Sequence, residues 1–427
     1  MNALFDILEQ VKEIDPRARV LITSYKFNPD FFEKHIFSHF HGWSYPLLFI
    51  DAAEYQEVGK SLQRSKSAGS RYFIESISCT KTFHPKVMFA LSDNQALILV
   101  GSNNLTWSGY TQSAEVVTPI VVDFERPERA YLLDDFVDFL EGLSDFVGSQ
   151  TYREHLQEII HSIPKLNITE ERDAWLLHSI NKIPLLDQIS NVIREPILKI
   201  SVVSPYFAQD REFYQKMSDL CPDIHIFVQQ KTSNLPVKIL ENFNTFTYHS
   251  FLIDNGRFLH AKILFIETDS DNYVFSGSAN FSSSALITNA NVEMGLLVKG
   301  NVQFQEIIKA IGKAQEISLE EVESQTVDSE ILGVSPSTMK VVEAVLVGGS
   351  IAVTLESLDP ALEYTVRLNG EEFSLSYTID GSTLYFDVNE QILSLFGKSV
   401  VLSIVSKNGN ELHESNMRIV YNKKIFP

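Results

Sequence analysis

One constellation occurs twice in this chain, 176 residues apart: His84-Pro-Lys86 followed by Gly101-Ser102-Asn103-Asn104, and His260-Ala-Lys262 followed by Gly277-Ser278-Ala279-Asn280. In each copy the last Asn lies 20 residues after the His, and each copy runs on to an acid, Glu115 at 31 residues past its His and Glu293 at 33. Such repetition marks a duplicated folding unit. Two like halves facing each other could then build a single site from two imidazoles, two ammoniums, two amides and two carboxylates.

The duplication extends beyond the motifs. Arg19-Val-Leu-Ile-Thr-Ser-Tyr25 aligns with Ile200-Ser-Val-Val-Ser-Pro-Tyr206, each a buried strand entering a polar turn and a helix. Short apolar runs follow in both halves (YPLLFID and DIHIFVQQ, then KVMFAL and KILFIE, ALILVGSNN and YVFSGSAN, AEVVTPIVVD and NVEMGLLVKG). Strand-length runs with helical patterns between them predict α/β units with largely buried mixed sheets. The first half is placed at residues 1–124 and the second at 196–314. Between them, 125–195 carries apolar residues mainly at helical spacing and reads as a helical connection. Residues 315–337 hold Glu316, Glu320, Glu321, Glu323, Asp328 and Glu330 with no basic residue, the texture of an acidic linker. From 338 to 427 the pattern changes to six or seven short alternating strands, with Asn369-Gly370 as a hairpin turn, and predicts an all-β sandwich of immunoglobulin-like size.

Charge and composition narrow the function classes. The net charge of −20 argues against broad adhesion to nucleic acid or anionic membrane. A basic island interrupts it: from Lys60 to Lys86 the chain has Lys60, Arg64, Lys66, Arg71, Lys81 and Lys86 against Glu75 alone. That island could guide a polyanion toward the first motif, or it could be a solvated loop. Two cysteines, Cys79 and Cys221, signal neither a disulfide framework nor a structural zinc site. MNALFDILEQ puts acids where a signal peptide carries bases, and no apolar run reaches membrane-spanning length, so a cytoplasmic protein without membrane association is expected. His35, His39 and His41 raise a metal site, but a His-rich surface turn is the commoner outcome, and no metal or cofactor is expected.

The motif chemistry suits a phosphodiester. In a strand, i and i+2 share a face, so His84 with Lys86 and His260 with Lys262 would address one space. Gly-Ser-x-Asn adds a tight turn, a hydroxyl (Ser102, Ser278) and an amide (Asn104, Asn280) as further hydrogen-bonding groups for phosphate oxygens. Glu115 and Glu293 can each hold the far nitrogen of an imidazole and fix its tautomer. One imidazole would attack phosphorus while the other serves as acid and then base, with Lys86, Lys262, Asn104 and Asn280 stabilising the transition state. Trp107, just past the first motif, could stack on a base, with Tyr110 beside it, or either could pack in the core.

These residues resemble the HKD motif of the phospholipase D superfamily over roughly residues 15–300. The resemblance implies two pseudo-twofold α/β/α halves and a phosphohistidine mechanism without metal, with the first-motif His84 as nucleophile and His260 as general acid. The family's Asp is replaced by Leu91 and Glu267. That departure is similar to the nuclease and tyrosyl-DNA phosphodiesterase branches, and GSNNLTWSGYTQSAE is similar to the motif string of metal-independent nucleases. A DNA endonuclease, in some relatives attached to restriction or antiviral systems, is the implied activity. The β-sandwich would recruit a protein partner or aid self-association. A phospholipase or phosphatidyltransferase, and a catalytically silent nucleic-acid or partner-binding module, are the rivals.

Overall fold

The computed structural model describes residues 19–40, 46–166, 171–253, 256–300, 304–324, 339–408 and 411–423. The first half is a six-stranded sheet of β1 (Arg19–Ser24), β2 (Leu47–Asp51), β3 (Phe73–Ile77), β4 (Val87–Leu91), β5 (Gln95–Gly101) and β6 (Val117–Asp123), ordered β3-β2-β1-β4-β5-β6. The first three strands run parallel and β4 turns antiparallel to β1. Helix α1 (Ala52–Leu62) starts directly from β2, because Asp51 caps it by accepting from the Ala53 and Glu54 N–H groups. Both faces are covered, so the central strands are apolar without alternation. Helices α2 (Tyr131–Ser144) and α3 (Gln150–Ser162) cover one face through Phe136, Phe139 and Leu156 against Leu21, Phe49 and Phe89. Tyr55, Leu62 and Phe32 cover the other.

The second half repeats the plan and adds two edges. It comprises β7 (Ala174–His178), β8 (Ile197–Val203), β9 (Ile224–Gln229), β10 (Phe246–Leu252), β11 (Ile263–Thr268), β12 (Asn272–Gly277), β13 (Met294–Lys299) and β14 (Lys313–Ile317), ordered β14-β10-β9-β8-β11-β12-β13-β7. Helices α4 (Leu185–Val192) and α5 (Arg211–Leu220) pack on one face, and α6 (Phe304–Ile311) lies against the other. Ala174, Leu176, Val292 and Met294 join the first half's core, so apolar contact runs from one half into the other.

Three expectations are revised. The span read as a helical connection also contains β7, which closes the second sheet by pairing with β13. Its five residues, AWLLH, are too short a run for periodicity to separate strand from helix. The acidic run does not begin as a linker, because β14 still pairs with β10 through Ile317 and Ser318 caps a short 3-10 helix with a capping box to Glu321. Residues 325–337 of that run lie outside the described residues. The described residues of the C-terminal unit form nine strands rather than six or seven: β15 (Val341–Val347), β16 (Ser350–Leu355), β17 (Glu363–Leu368), β18 (Glu371–Phe373), β19 (Tyr377–Asp380), β20 (Thr383–Asp387), β21 (Val400–Asn408), β22 (Glu411–Glu414) and β23 (Arg418–Asn422). A parallel pair, β15 with β23, joins them into one curled sheet around its own core. The hairpin at Asn369-Gly370 is as expected, with φ of 51° and 88° linking β17 to β18.

The curled sheet is built into the first half. Ile419 N–H donates to the Tyr55 hydroxyl at 2.9 Å, Ser399 Oγ donates to the Ala68 carbonyl at 2.8 Å, and Arg418 meets Glu75 at 3.1 Å. Val401 and Ile419 belong to the core beneath α1.

Candidate active site

The two His-x-Lys motifs do not lie on strands, which corrects the i, i+2 argument. Thr82–Phe83 pairs in parallel with Asn291–Val292 of the other half, whereas Val87 pairs inside the first sheet. His84, Pro85 and Lys86 are the extended crossing between those two pairings. The second motif is built the same way: Phe258–Leu259 pairs with Ser113–Ala114, and Ile263 pairs in its own sheet. His84 N–H donates to Val292 O and His260 N–H to Ala114 O, both at 2.9 Å.

These exchanged strand pairs bring each His to the acid of the opposite half. His84 Nδ1 lies 2.9 Å from Glu293 Oε2, and His260 Nδ1 lies 2.8 Å from Glu115 Oε1. With Nδ1–H donated to a carboxylate, Nε2 of each ring is left as the reactive nitrogen. Ser102 Oγ donates to Glu115 and Ser278 Oγ to Glu293, and both serines are fully buried. Their expected contact with substrate is therefore corrected: they hold the carboxylates from behind. Asn291 Nδ2 adds a 3.1 Å bond to Glu293 Oε1. Gly277 is needed here because a Cβ would meet Met294 O at 2.3 Å, where β12 passes β13.

Both imidazoles open onto one cleft of about 390 Å³, which Asn104, Asn280, Tyr25 and Tyr206 also line. Tyr25 sits 5.2 Å from the His84 ring and Tyr206 6.4 Å from the His260 ring, centroid to centroid. Lys86 and Lys262 are almost wholly buried, and each ammonium donates to the carbonyl of its own motif His, at 2.8 and 2.6 Å. Asn104 Oδ1 accepts from Lys26 N–H at 3.2 Å, whereas Asn280 Oδ1 is buried without a partner.

Burial dominates the electrostatics. It pushes the His84 imidazole below its usual range despite Glu293, pushes His260 down to about 4, and brings the Lys262 ammonium down to about 8 and Lys86 well below normal. Burial alone would raise the two carboxyls. The imidazole, lysine and serine neighbours outweigh it and leave Glu115 and Glu293 below the usual carboxylate range.

Other expected residues stand outside the cleft. Trp107 is 46% exposed and packs on Phe31 and His35, beside the cleft-lining Thr106 and Ser108. Tyr110 is buried in the core against Phe31. Lys60, Arg64, Lys66 and Arg71 are exposed, but none lines the cleft; Arg71 lies over the Phe37 ring at 5.0 Å. Of the three clustered histidines, His35 is a ring-packing residue and His41 lies outside the described residues. At the missing Asp position Leu91 is buried, and Glu267 faces a different groove.

Two features of the site went unread in the sequence. Tyr25 and Tyr206 line the cleft but are not equivalents: Ser24 and Ser204 each donate to the carbonyl two residues on and accept from Leu105 and Phe281 N–H. Lys26 is therefore the counterpart of Tyr206, one position off the pattern alignment. The residue before each His is held by the end of the second strand, Phe83 N–H by Asp51 at 2.9 Å and Leu259 N–H by Gln229 at 2.7 Å.

Residues 189–315 match the family model described as "Cardiolipin synthase, PLD-like domain". That span, which holds the second His-x-Lys motif and lies almost wholly in the second half, is similar to a phospholipase D-like domain. Among solved structures, yeast tyrosyl-DNA phosphodiesterase is 11% identical, with 67% of this chain and 86% of that one covered at a TM-score of 0.47. Polyphosphate kinase from Porphyromonas gingivalis is 12% identical over 72% of this chain and 47% of its own, at 0.42. NucT from Helicobacter pylori is 18% identical over 36% of this chain and 98% of its own, at 0.24. No curated protein matches the chain.

Proposed function

We propose that this chain is a phosphodiesterase of the phospholipase D superfamily, and more narrowly a metal-independent DNA endonuclease acting through a phosphohistidine. The observation that carries the reading is the pair of imidazoles on one cleft, each with Nδ1 pinned by a carboxylate of the opposite half. Two neutral imidazoles, two carboxylates and two ammoniums sum to zero in the empty site. A phosphodiester adds one negative charge, and that charge draws a proton onto one ring. The protonated ring then serves as acid toward the leaving oxygen, while the neutral ring attacks phosphorus in line. Water, deprotonated by the second imidazole, attacks phosphorus; the new phosphorus–oxygen bond forms as the phosphorus–nitrogen bond breaks, and the first imidazole leaves. The superfamily resemblance assigns attack to His84 and acid–base work to His260. The buried lysines, with Asn104 and Asn280, hold the phosphoryl charge.

A role in defence against foreign DNA and a cytoplasmic location belong to the same proposal and rest on the family resemblance and the sequence. No described helix is long and apolar enough to cross a membrane. The name of the matching family model favours a second reading, phosphatidyl transfer. Incubating the protein with plasmid DNA, oligonucleotides and phosphatidylcholine, with and without EDTA, decides between them. DNA cleavage that survives EDTA and disappears in His84→Ala is expected. Lipid turnover alone favours the second reading, and no turnover of either refutes both.

A further inference from the structure

The second sheet has a face that the first half buries under two long helices and this half covers with the shorter α6, leaving a groove beside it. The strand registers give the correspondence: Leu21 pairs with Leu47 and Phe89, and Ser201 pairs with His225 and Phe265 at the same sites. Continuing along those registers, Arg19 corresponds to Lys199, Leu91 to Glu267 and Glu75 to His249. In the first half Leu21, Leu47 and Leu91 are buried in the core under α2 and α3. In the second half the same sheet positions hold Ser201, His225 and Glu267, and among the described residues the eight-residue α6 is the helix that lies over them, beside a groove of about 1110 Å³.

A duplicated unit that replaces leucines by polar groups at core positions gives up burial free energy there, which selection for packing alone would oppose. The replacements are also organised. Phe227 and His249 stack at 4.3 Å and 9°, and His225 lies nearly coplanar with His249, edge to edge, at 5.0 Å and 15°. The His225–His249 hydrogen bond of 2.8 Å fixes the two imidazoles, and Asp223 holds the outer nitrogen of His225 at 3.1 Å. Lys199, Lys309 and Lys313 line the groove with Glu267; Asp223 lies 4.0 Å from the Lys199 ammonium and Glu316 pairs opposite His249, which leaves Lys309 and Lys313 as the cations that face the open side.

We infer that this groove is a second binding site, separate from the catalytic cleft, for a nucleotide. Lys309 and Lys313 would take the phosphate, and the base would stack on the face of the coplanar His225–His249 pair. The site shares no lining residue with the cleft that holds His84 and His260.

Calorimetric titration of the full chain with AMP, with adenosine and inorganic phosphate run separately, tests the assignment. Saturable AMP binding is expected, at least tenfold tighter than either fragment. The double variant Ser201→Leu/His225→Leu restores the first half's residues. It should weaken AMP at least tenfold, leave hydrolysis of bis(p-nitrophenyl) phosphate at the wild-type rate and melt no earlier than wild type. Should that variant fail to fold, Lys309→Ala/Lys313→Ala, which alters two solvent-accessible side chains, must weaken AMP to the same degree. Absence of saturable AMP binding overturns the inference. So does phosphate binding as tightly as AMP, or undiminished AMP binding in whichever double variant folds. Loss of hydrolysis in the wild type would refute the catalytic reading and leave this one standing.

Discussion

Replacing Glu293 by Gln keeps the shape of the side chain and removes its charge, so it isolates what the crossed carboxylate does for His84. The carboxylate is fully buried and 2.9 Å from Nδ1, which puts the two charge centres roughly 4 Å apart once the ring is cationic. At an effective dielectric of about 20 their attraction is about 4 kcal/mol. In the proposed mechanism that attraction stabilises the imidazole as it bonds to phosphorus and gains positive charge. Its loss corresponds to about three decades in the rate of the chemical step. Substrate affinity should change little, because Glu293 does not line the cleft. Single-turnover cleavage at saturating enzyme, with acid-labile phosphoryl-enzyme trapped by rapid quench, measures the step directly. A loss below about tenfold would show that Glu293 merely packs beneath His84, and the role assigned to the crossed pairs would fall.

Four further outcomes are expected. A substrate with a p-nitrophenolate leaving group should restore much of the first-turnover burst of Glu115→Gln and His260→Asn but little of that of Glu293→Gln and His84→Asn; equal restoration would cancel the division of roles. Activity should fall on the alkaline side near pH 8, where the Lys262 ammonium, lowered by burial, gives up its proton, and a flat profile from pH 7 to 9.5 would exclude that lysine as the charge clamp. The lowered folded-state value of His260 means that the unfolded chain binds this proton first, so stability falls as pH drops from about 6.5 toward 4, and His260→Asn should flatten that slope in denaturant titrations. Arg418→Met strands the buried Glu75 carboxylate and should cost about 3–5 kcal/mol of unfolding free energy, partly recovered in the double variant with Glu75→Gln; an unchanged midpoint would contradict the pair's structural role.

The halves, their mixed sheets and the shared cleft were legible because they follow from local sequence: apolar runs of strand length and a fixed interval from His to Asn. The exchange of acids was not. It is set by strand pairs only two residues long, Thr82–Phe83 and Ser113–Ala114 with their partners, which are too short to leave a periodic signature. The same limit hid β14, an edge strand with four exposed residues out of five, whose first two residues read as the end of the second half and whose last three read as the start of the acidic run. Ser102 and Ser278 were misread because a hydroxyl can face a ligand or a buried carboxylate equally well, and only burial decides. The basic island was recognised as a charge cluster, but sequence distance to His84 did not translate into a place on the cleft wall.

Because each imidazole takes its carboxylate from the other half, neither half contains a finished catalytic unit. Co-expressed as two polypeptides cut between α3 and β7, they should be inert apart and regain turnover only on reassociation. A forebear with a single motif would, by the same geometry, have worked as a pair of chains, and fusion spared its descendant any dependence on concentration.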